Sequence, residues 1–303
     1  MTVSYLTGKP FPRGARRSPP HRLQMQEPHR IVRATPDQFA GLATTLNMEG
    51  NDQYGDCVTA EEAEAKSAWS QGYCGLPELI VPASVAIAWA KEYGYLNGAD
   101  LTSVLDTMQQ KGMVINGTTY FDGPNSGVDY TNQATLNNAI YTGPVKIAIA
   151  ADCLPSGAGN ATGWYSLTRI NNNNTDHCVG LRAFGRADFC YDAMKVSLPS
   201  AVPAATLGFV LYTWATYGFV TFDWIQGTCA EAHVRNPTTP GQTPAPTPNP
   251  TPSPVPWVPL GSATYPAALP VGSPLSIPIP SSPVAIPAGG IVAAYLTNPP
   301  SSN

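Results

Sequence analysis

Charged side chains are scarce in this chain of 303 residues. Asp, Glu, Lys and Arg together make up 12% of it, about half the usual share. The net charge of -4 argues against nucleic acid as the main partner. No run of 18 or more apolar residues occurs, so we expect no helix to span a membrane. The N-terminus lacks the apolar segment of a secretory signal.

Patterns that bind metals or nucleotides are also missing. The chain has 6 cysteines, but none of them forms a C-x-x-C pair, so their spacing does not indicate a zinc site. No Gly-rich loop follows a predicted strand. We therefore expect no cofactor and no metal. Without an export signal the cysteines are expected to be mostly reduced. A disulfide stays open as an alternative if the protein leaves the cell.

The two ends of the chain differ from its centre. Residues 1–38 form a basic arm, with seven basic residues and one acid up to residue 33. The arm is interpreted as disordered, or as docking on an acidic partner or a neighbouring subunit. Residues 236–253 alternate Pro with small polar residues and predict a polyproline II linker. Residues 254–303 are Pro-rich, apolar and uncharged, so we expect this tail to pack on its own domain, on another copy or in a larger assembly.

The central block, residues 39–235, changes from helical to strand patterns along its length. Helices are predicted at 57–69, 82–93, 101–110 and 132–141, and strands at 145–150, 177–184, 209–214 and 218–222. Residues 224–234 are interpreted as a closing helix or loop. Helices followed by strands predict an α+β domain in which a helical half faces an antiparallel sheet. A cleft between the halves is the expected place for a site.

Cys57 is the cysteine best placed to act as a nucleophile. It follows Gly55-Asp56 at the start of the first predicted helix, where the helix dipole stabilises a thiolate. Such a thiolate needs an imidazole nearby. In the central block, histidine occurs only at His177, which opens a predicted strand, and at His233. His233 is interpreted as structural.

These residues resemble the papain-like cysteine peptidase superfamily, and most of all a branch of uncharacterised bacterial and phage proteins with a GNDQYGDC motif. The resemblance covers about two thirds of the chain. The matching stretches follow the family's order: GNDQYGDCV at 50–58, GPVKIAIA at 143–150, DHCVGL at 176–181, YTWA at 212–215 and CAEAHV at 229–234.

The resemblance implies roles for particular residues. Cys57 matches the nucleophile and His177 the general base. Asn51, or alternatively Gln53, would hold the oxyanion together with the Cys57 backbone N–H. Peptidases of this family orient the histidine with an Asn two residues before a Trp, but here Tyr212 stands at that position. The hydroxyl of Thr213 is an alternative orienter, and loss of an orienter costs orders of magnitude in rate in related triads.

Two functions from different classes follow. One is a cysteine hydrolase that acts on peptide or isopeptide bonds, or its degenerate descendant. The other is a non-catalytic structural or interaction protein, such as a phage virion component, anchored by its arm and its Pro-rich tail. In both cases the expected partner is a protein or peptide, and an oligomer or assembly would form through residues 1–38 and 254–303. The expected location is the cytoplasm or a virion.

Overall fold

A computed structural model describes residues 11–31 and 33–237 of the chain. The first two residues of the predicted linker, 236–237, belong to the last strand, while residues 238–253 and the Pro-rich tail lie outside the described residues. The described part contains seven α-helices: α1 (Pro20–Met25), α2 (Cys57–Ala68), α3 (Ala83–Glu92), α4 (Leu101–Lys111), α5 (Gln133–Thr142), α6 (Ala187–Ala193) and α7 (Phe222–Thr228). A π-helical turn at Trp69–Tyr73 extends α2, and a 3₁₀ turn lies at Ala151–Cys153.

Strands occur both in the arm and in the central block. They are β1 (Ala15–Arg16), β2 (Phe39–Ala40), β3 (Ala99–Asp100), β4 (Met113–Ile115), β5 (Thr118–Tyr120), β6 (Asp122–Gly127), β7 (Val145–Ile149), β8 (Trp164–Ser166), β9 (His177–Arg186), β10 (Leu207–Thr213), β11 (Thr216–Thr221) and β12 (Cys229–Pro237). None of the helices within the described ranges is long and apolar enough to cross a bilayer.

The main sheet has the strand order β6-β12-β7-β9-β10-β11-β8, and β2 pairs with β9. All of its pairings are antiparallel except that of β11 with β8. On one face of the sheet, α2, α3 and α4 share a core with Cys57 and Cys178. The expected α+β fold, with a helical half against an antiparallel sheet, is confirmed.

The segment 224–234 differs from its interpretation as a closing helix or loop. Its first residues belong to α7, and the rest form β12, which lies inside the sheet between β6 and β7. The strand was hidden because its sequence, CAEAHVRNP, carries charged groups where a buried strand is usually apolar.

Those charges belong to a buried ion network that joins α2 to the sheet. Glutamates in a helix usually lie on a solvated face, yet every residue of α2 is buried. Arg182 of β9 reaches Glu61 and Glu64 at 2.5 Å each. Four acids and four bases make up the network: Glu61, Glu62, Glu64, Asp122, Lys66, Lys146, Arg182 and Arg235. Burying charge is tolerated here because each acid has a basic partner.

The described part of the basic arm packs on its own domain. β1 pairs in parallel with β3, and Ser18 donates from both its backbone N–H and its hydroxyl to Glu231. Further along, His29 lies 2.9 Å from Asn138, and the Arg33 guanidinium covers the Tyr141 ring. These contacts replace the disorder that composition suggested. Docking of the arm on another subunit stays a prediction.

Candidate active site

Cys57 is the first residue of α2, as its position after Gly55-Asp56 predicted. Asp56 occupies the N-cap position, but its side chain makes no capping hydrogen bond. Lys146 of β7 donates to the Val58 carbonyl at 2.9 Å and so fixes the first turn of the helix against the sheet. The Cys57 side chain is buried, and this burial raises the pKa of the thiol to about 11. At neutral pH the sulfur is therefore protonated.

His177 is the first residue of β9, and it is also buried. Its Nε2 lies 2.7 Å from Oγ1 of Thr213, and its ring stacks on Trp214 with the centroids 4.4 Å apart. Burial, together with the charge of Arg13, lowers the pKa of His177 to about 3. The imidazole is therefore neutral at neutral pH.

A tight turn presents Thr213 and Trp214 to the imidazole. β10 and β11 are joined by Trp214 and Ala215, whose φ angles are 43° and 56°. Two positive φ angles are the signature of a type I′ hairpin turn, which usually takes Asn and Gly. Non-glycine residues in this region are strained, and such strain often marks a functional site. Tyr212, at the position of the family's Asn, instead donates its hydroxyl to the Asn47 carbonyl.

The Cys57 sulfur lies against the backbone of Cys178, the residue that follows His177. The amides of Cys178, Gly14 and Ala15 act on the Cys57 sulfur and offset part of the rise in its pKa. His177 Nδ1 is buried without a hydrogen-bond partner among the described residues. The thiol and the imidazole are thus brought to the same end of β9 as two neutral groups, and no hydrogen bond joins them.

The two candidate oxyanion donors differ in their surroundings. Asn51 is buried, and its side-chain amide donates to the carbonyls of Tyr54, at 3.1 Å, and Pro12, at 3.3 Å. Gln53 is exposed on the same loop. Asn51 is therefore the candidate donor that binds peptide carbonyls in this structure, one of its own loop and one, that of Pro12, of the arm.

The arm passes through the cleft beside these residues. Phe11 packs on Trp214 with the ring centroids 5.3 Å apart. Arg13 pairs with Asp152 at 2.6 Å and with Asp176 at 2.8 Å, and Asp176 directly precedes His177. The Ala15 N–H donates to the Asp176 carbonyl at 3.1 Å. The cleft is thus occupied by the chain's own residues 11–16.

Sequence reasoning missed this occupant and the two carboxylates that hold it. Asp176 was visible within the DHCVGL stretch, but Asp152 had no recognisable pattern. A separate open cavity of about 370 Å³ is lined by residues that include Leu42, Gln71 and Tyr217, and neither Cys57 nor His177 borders it. No cluster of metal-ligating side chains occurs in the described ranges.

No family model and no curated protein sequence matches the chain. Solved structures do match it. Xylellain, a cysteine protease from Xylella fastidiosa, aligns with a TM-score of 0.51 at 12% identity, over 75% of this chain and 98% of its own. Procathepsin L 3 of the Tenebrio molitor larval midgut aligns with a TM-score of 0.51 at 12% identity, over 70% of this chain and 74% of its own.

The proform of the ragweed pollen cysteine protease Amb a 11 aligns with a TM-score of 0.50 at 12% identity. The alignment spans 68% of this chain and 66% of the ragweed chain, just under two thirds of that proform. At this identity the similarity concerns the fold. The chain therefore has the fold of the papain-like cysteine proteases.

Proposed function

We propose that this protein is a cysteine hydrolase of peptide or isopeptide bonds, kept in a covered state by its own arm. The observation that carries the proposal is the setting of His177. Thr213 holds its Nε2 at 2.7 Å and Trp214 stacks on its ring, while Nδ1 has no described partner. A base needs an orienting contact on one nitrogen and freedom on the other.

The covered state accounts for the unreactive pKa values. Desolvation is the largest cause of both the high pKa of Cys57 and the low pKa of His177, and Arg13 adds to the second. Departure of residues 11–16 would admit water and remove the Arg13 charge. Water stabilises both charged forms, and loss of the Arg13 charge favours the imidazolium. The Cys57 sulfur would lose the Gly14 and Ala15 amides and keep that of Cys178.

In the uncovered state the reaction would run in two steps. The Cys57 sulfur attacks the carbonyl carbon, the Asn51 amide and the Cys57 N–H stabilise the oxyanion, and imidazolium His177 gives its proton to the departing amine. A thioester joins Cys57 to the acyl group. Water, deprotonated by His177, then attacks this thioester, and the acid product and the free thiol are released.

Turnover tests this proposal in the full-length chain. Arg13→Glu places a third carboxylate beside Asp152 and Asp176 and should expel the arm by repulsion. We call this full-length Arg13→Glu protein the open variant. It is expected to release fluorescent peptides from labelled denatured casein, whereas the open variant that also carries Cys57→Ala or His177→Ala releases none. Absence of release by the folded open variant would contradict a peptidase.

Two observations favour a second function, a non-catalytic structural or interaction protein. The cleft is filled, and the hydroxyl of Thr213 makes the contact with the imidazole for which a papain-like peptidase uses an amide. A virion component could keep this scaffold without turnover. Size-exclusion chromatography with light scattering separates the two proposals, because stable assembly together with an inactive open variant favours the structural role. A monomer with turnover favours the hydrolase.

A further inference from the structure

The arm occupies the cleft in the manner of a bound peptide, with a separate contact at each residue. The Phe11 ring packs on Trp214, and the Pro12 carbonyl accepts from Asn51. The Gly14 carbonyl accepts from the Ala99 N–H at 2.9 Å. Residues Ala15–Arg16 then pair with β3 as an added parallel strand. This is the mode by which extended peptides add to a strand edge, where side-chain pockets give specificity.

The strongest side-chain contact in this segment is made by Arg13. Its guanidinium donates a hydrogen bond from Nη1 to Asp176 and another from Nη2 to Asp152, so both ends of the fork meet a carboxylate. Asp176 is held in place because its other oxygen accepts from the Ala151 N–H at 2.8 Å. Only 28% of the Arg13 side chain is exposed. Asp176 is thus a fixed partner and Asp152, with 71% of its side chain exposed, an open one. Two carboxylates on the two ends of a planar guanidinium match its geometry.

The residue that follows the arginine must be glycine. A Cβ at Gly14 would overlap the carbonyl oxygen of Gly55, and Gly98 packs against the Gly14 carbonyl from the other side. Both neighbouring atoms belong to the backbone, so they cannot move aside as a flexible side chain would. The cleft therefore accepts an arginine and then a residue without a side chain.

We infer that the cleft is a recognition site for peptides with an Arg-Gly pair, read by Asp152 and Asp176 on the arginine and by Gly55 on the glycine. The resident arm shows the pattern, aromatic-Pro-Arg-Gly-Ala. An external peptide of the same kind would bind once the arm leaves. The inference deepens the proposed function by naming its substrate class, and it rests on that function only for the chemistry that follows binding.

Binding is measured without turnover, so that a failed hydrolysis cannot be mistaken for failed recognition. The protein is the open variant that also carries Cys57→Ala. The probe is a fluorescein-labelled acetylated peptide, Phe-Pro-Arg-Gly-Ala-Arg, followed by fluorescence anisotropy. Two matched peptides replace its first arginine with uncharged citrulline or its glycine with alanine.

The arginine peptide is expected to bind at least tenfold more tightly than either matched peptide. Asp152→Asn, at an exposed position, should weaken the arginine peptide and leave the citrulline peptide unchanged. Protein with the wild-type arm should bind the probe far more weakly, because a tethered arm competes at a high effective concentration.

Equal binding of the three peptides, or no binding to a folded open variant, would overturn the inference. Gly14→Ala provides a second way to release the arm if Arg13→Glu impairs folding, since it creates the clash with Gly55 in the arm itself. The same order of affinities is expected in that background. The reverse order, or no preference, would again count against an Arg-Gly site.

Discussion

The hydrogen bond that orients the His177 imidazole, beside the stacked Trp214 ring, comes from a hydroxyl. An amide oxygen can only accept and so fixes one tautomer, whereas the Thr213 hydroxyl can donate or accept. Thr213 therefore holds the ring in position without dictating which nitrogen carries the proton. The site can therefore keep the ring in a papain-like position although its orienting group does not select one tautomer.

Removing that hydroxyl should slow the chemistry of Cys57. In the open variant, Thr213→Val keeps the shape but leaves Nε2 without a partner, so the rate of Cys57 alkylation should fall by roughly tenfold or more. Thr213→Ser is the matched control and should stay within about threefold of the parent, since serine keeps a hydroxyl. The pH profile of alkylation by iodoacetamide checks both variants. Equal rates for valine and serine would remove Thr213 from the mechanism.

Asp56 should make the stability of the protein depend on pH. Burial raises the pKa of Asp56 to about 7 in the folded protein, compared with about 3.9 in the unfolded chain. The folded state therefore holds this proton more tightly. The stability that the protonated Asp56 gives the folded state is complete below pH ~4 and is lost as the pH rises through about 7. Asp56→Asn should thus stabilise the protein at pH 8 more than at pH 5, by on the order of 2 kcal/mol.

Urea unfolding of the wild type and of Asp56→Asn at the two pH values measures this difference. Asp52 is exposed on the same loop, so Asp52→Asn is the matched control. It should change the free energy of unfolding by nearly the same amount at pH 5 and pH 8. A stabilisation by Asp56→Asn that is the same at pH 5 and pH 8 would contradict the pKa shift.

The positions of Cys57 at the start of α2 and of His177 at the start of β9 were predictable because local rules govern their surroundings. Gly55-Asp56 before an alanine-rich stretch predicts a helix that begins at Cys57, and the apolar run after His177 predicts a strand. Thr213 could be named from the sequence only as a possible orienter, since Tyr212 replaces the family's Asn. Its contact with His177 depends on the positive φ angles at Trp214 and Ala215, in a turn without the usual Asn-Gly signal.

At the scale of elements, α2 is fixed to the sheet by charges as well as by apolar packing. Burial would raise the pKa of Glu61, but Arg235, Arg182 and Lys146 together hold it below its ordinary value. Burial prevails for Glu64, whose pKa is raised although Arg182 is its partner. The helix that presents Cys57 is thus positioned by the buried ion network.

Breaking this network should cost far more than breaking an exposed ion pair on the same strand. Arg182→Met leaves Glu61 and Glu64 buried without their shared partner and should lower the free energy of unfolding by about 3–5 kcal/mol. Arg186→Met removes the exposed pair with Asp188 and should change the free energy of unfolding little, because water and salt screen such a pair. Urea unfolding of both variants provides the measurement. Similar losses in the two would mean that the network contributes no more than a surface pair.

The network could not be predicted because its members are far apart in the sequence. A helix with several glutamates is most often solvated on one face, and α2 carries three of them together with Lys66. The partners of the glutamates come from β7, β9 and β12, which follow more than 80 residues later in the chain. Lys66 pairs with Asp122 of β6, which is 56 residues away. By contrast, the β4–β5 hairpin has the Asn116-Gly117 pair that predicts a type I′ turn. That signal was available in the sequence.

For the molecule as a whole, the order of helices and strands was enough to predict the α+β fold. The position of the arm was not predictable, because Arg13 and Asp176 are 163 residues apart and composition alone suggested disorder. The structure instead places the described part of the arm in the cleft. A covered thiol in a papain-like fold is thus the central feature of the molecule.

The alkylation rate of Cys57 tests this account most directly. Full-length wild type and the open variant are treated with iodoacetamide at pH 7.5, and modification of Cys57 is followed by peptide mass spectrometry. The account predicts a wild-type rate far below that of a free cysteine. It predicts an increase of at least tenfold in the open variant, and loss of that increase when His177→Ala is added. Equal rates in the wild type and the folded open variant would contradict it.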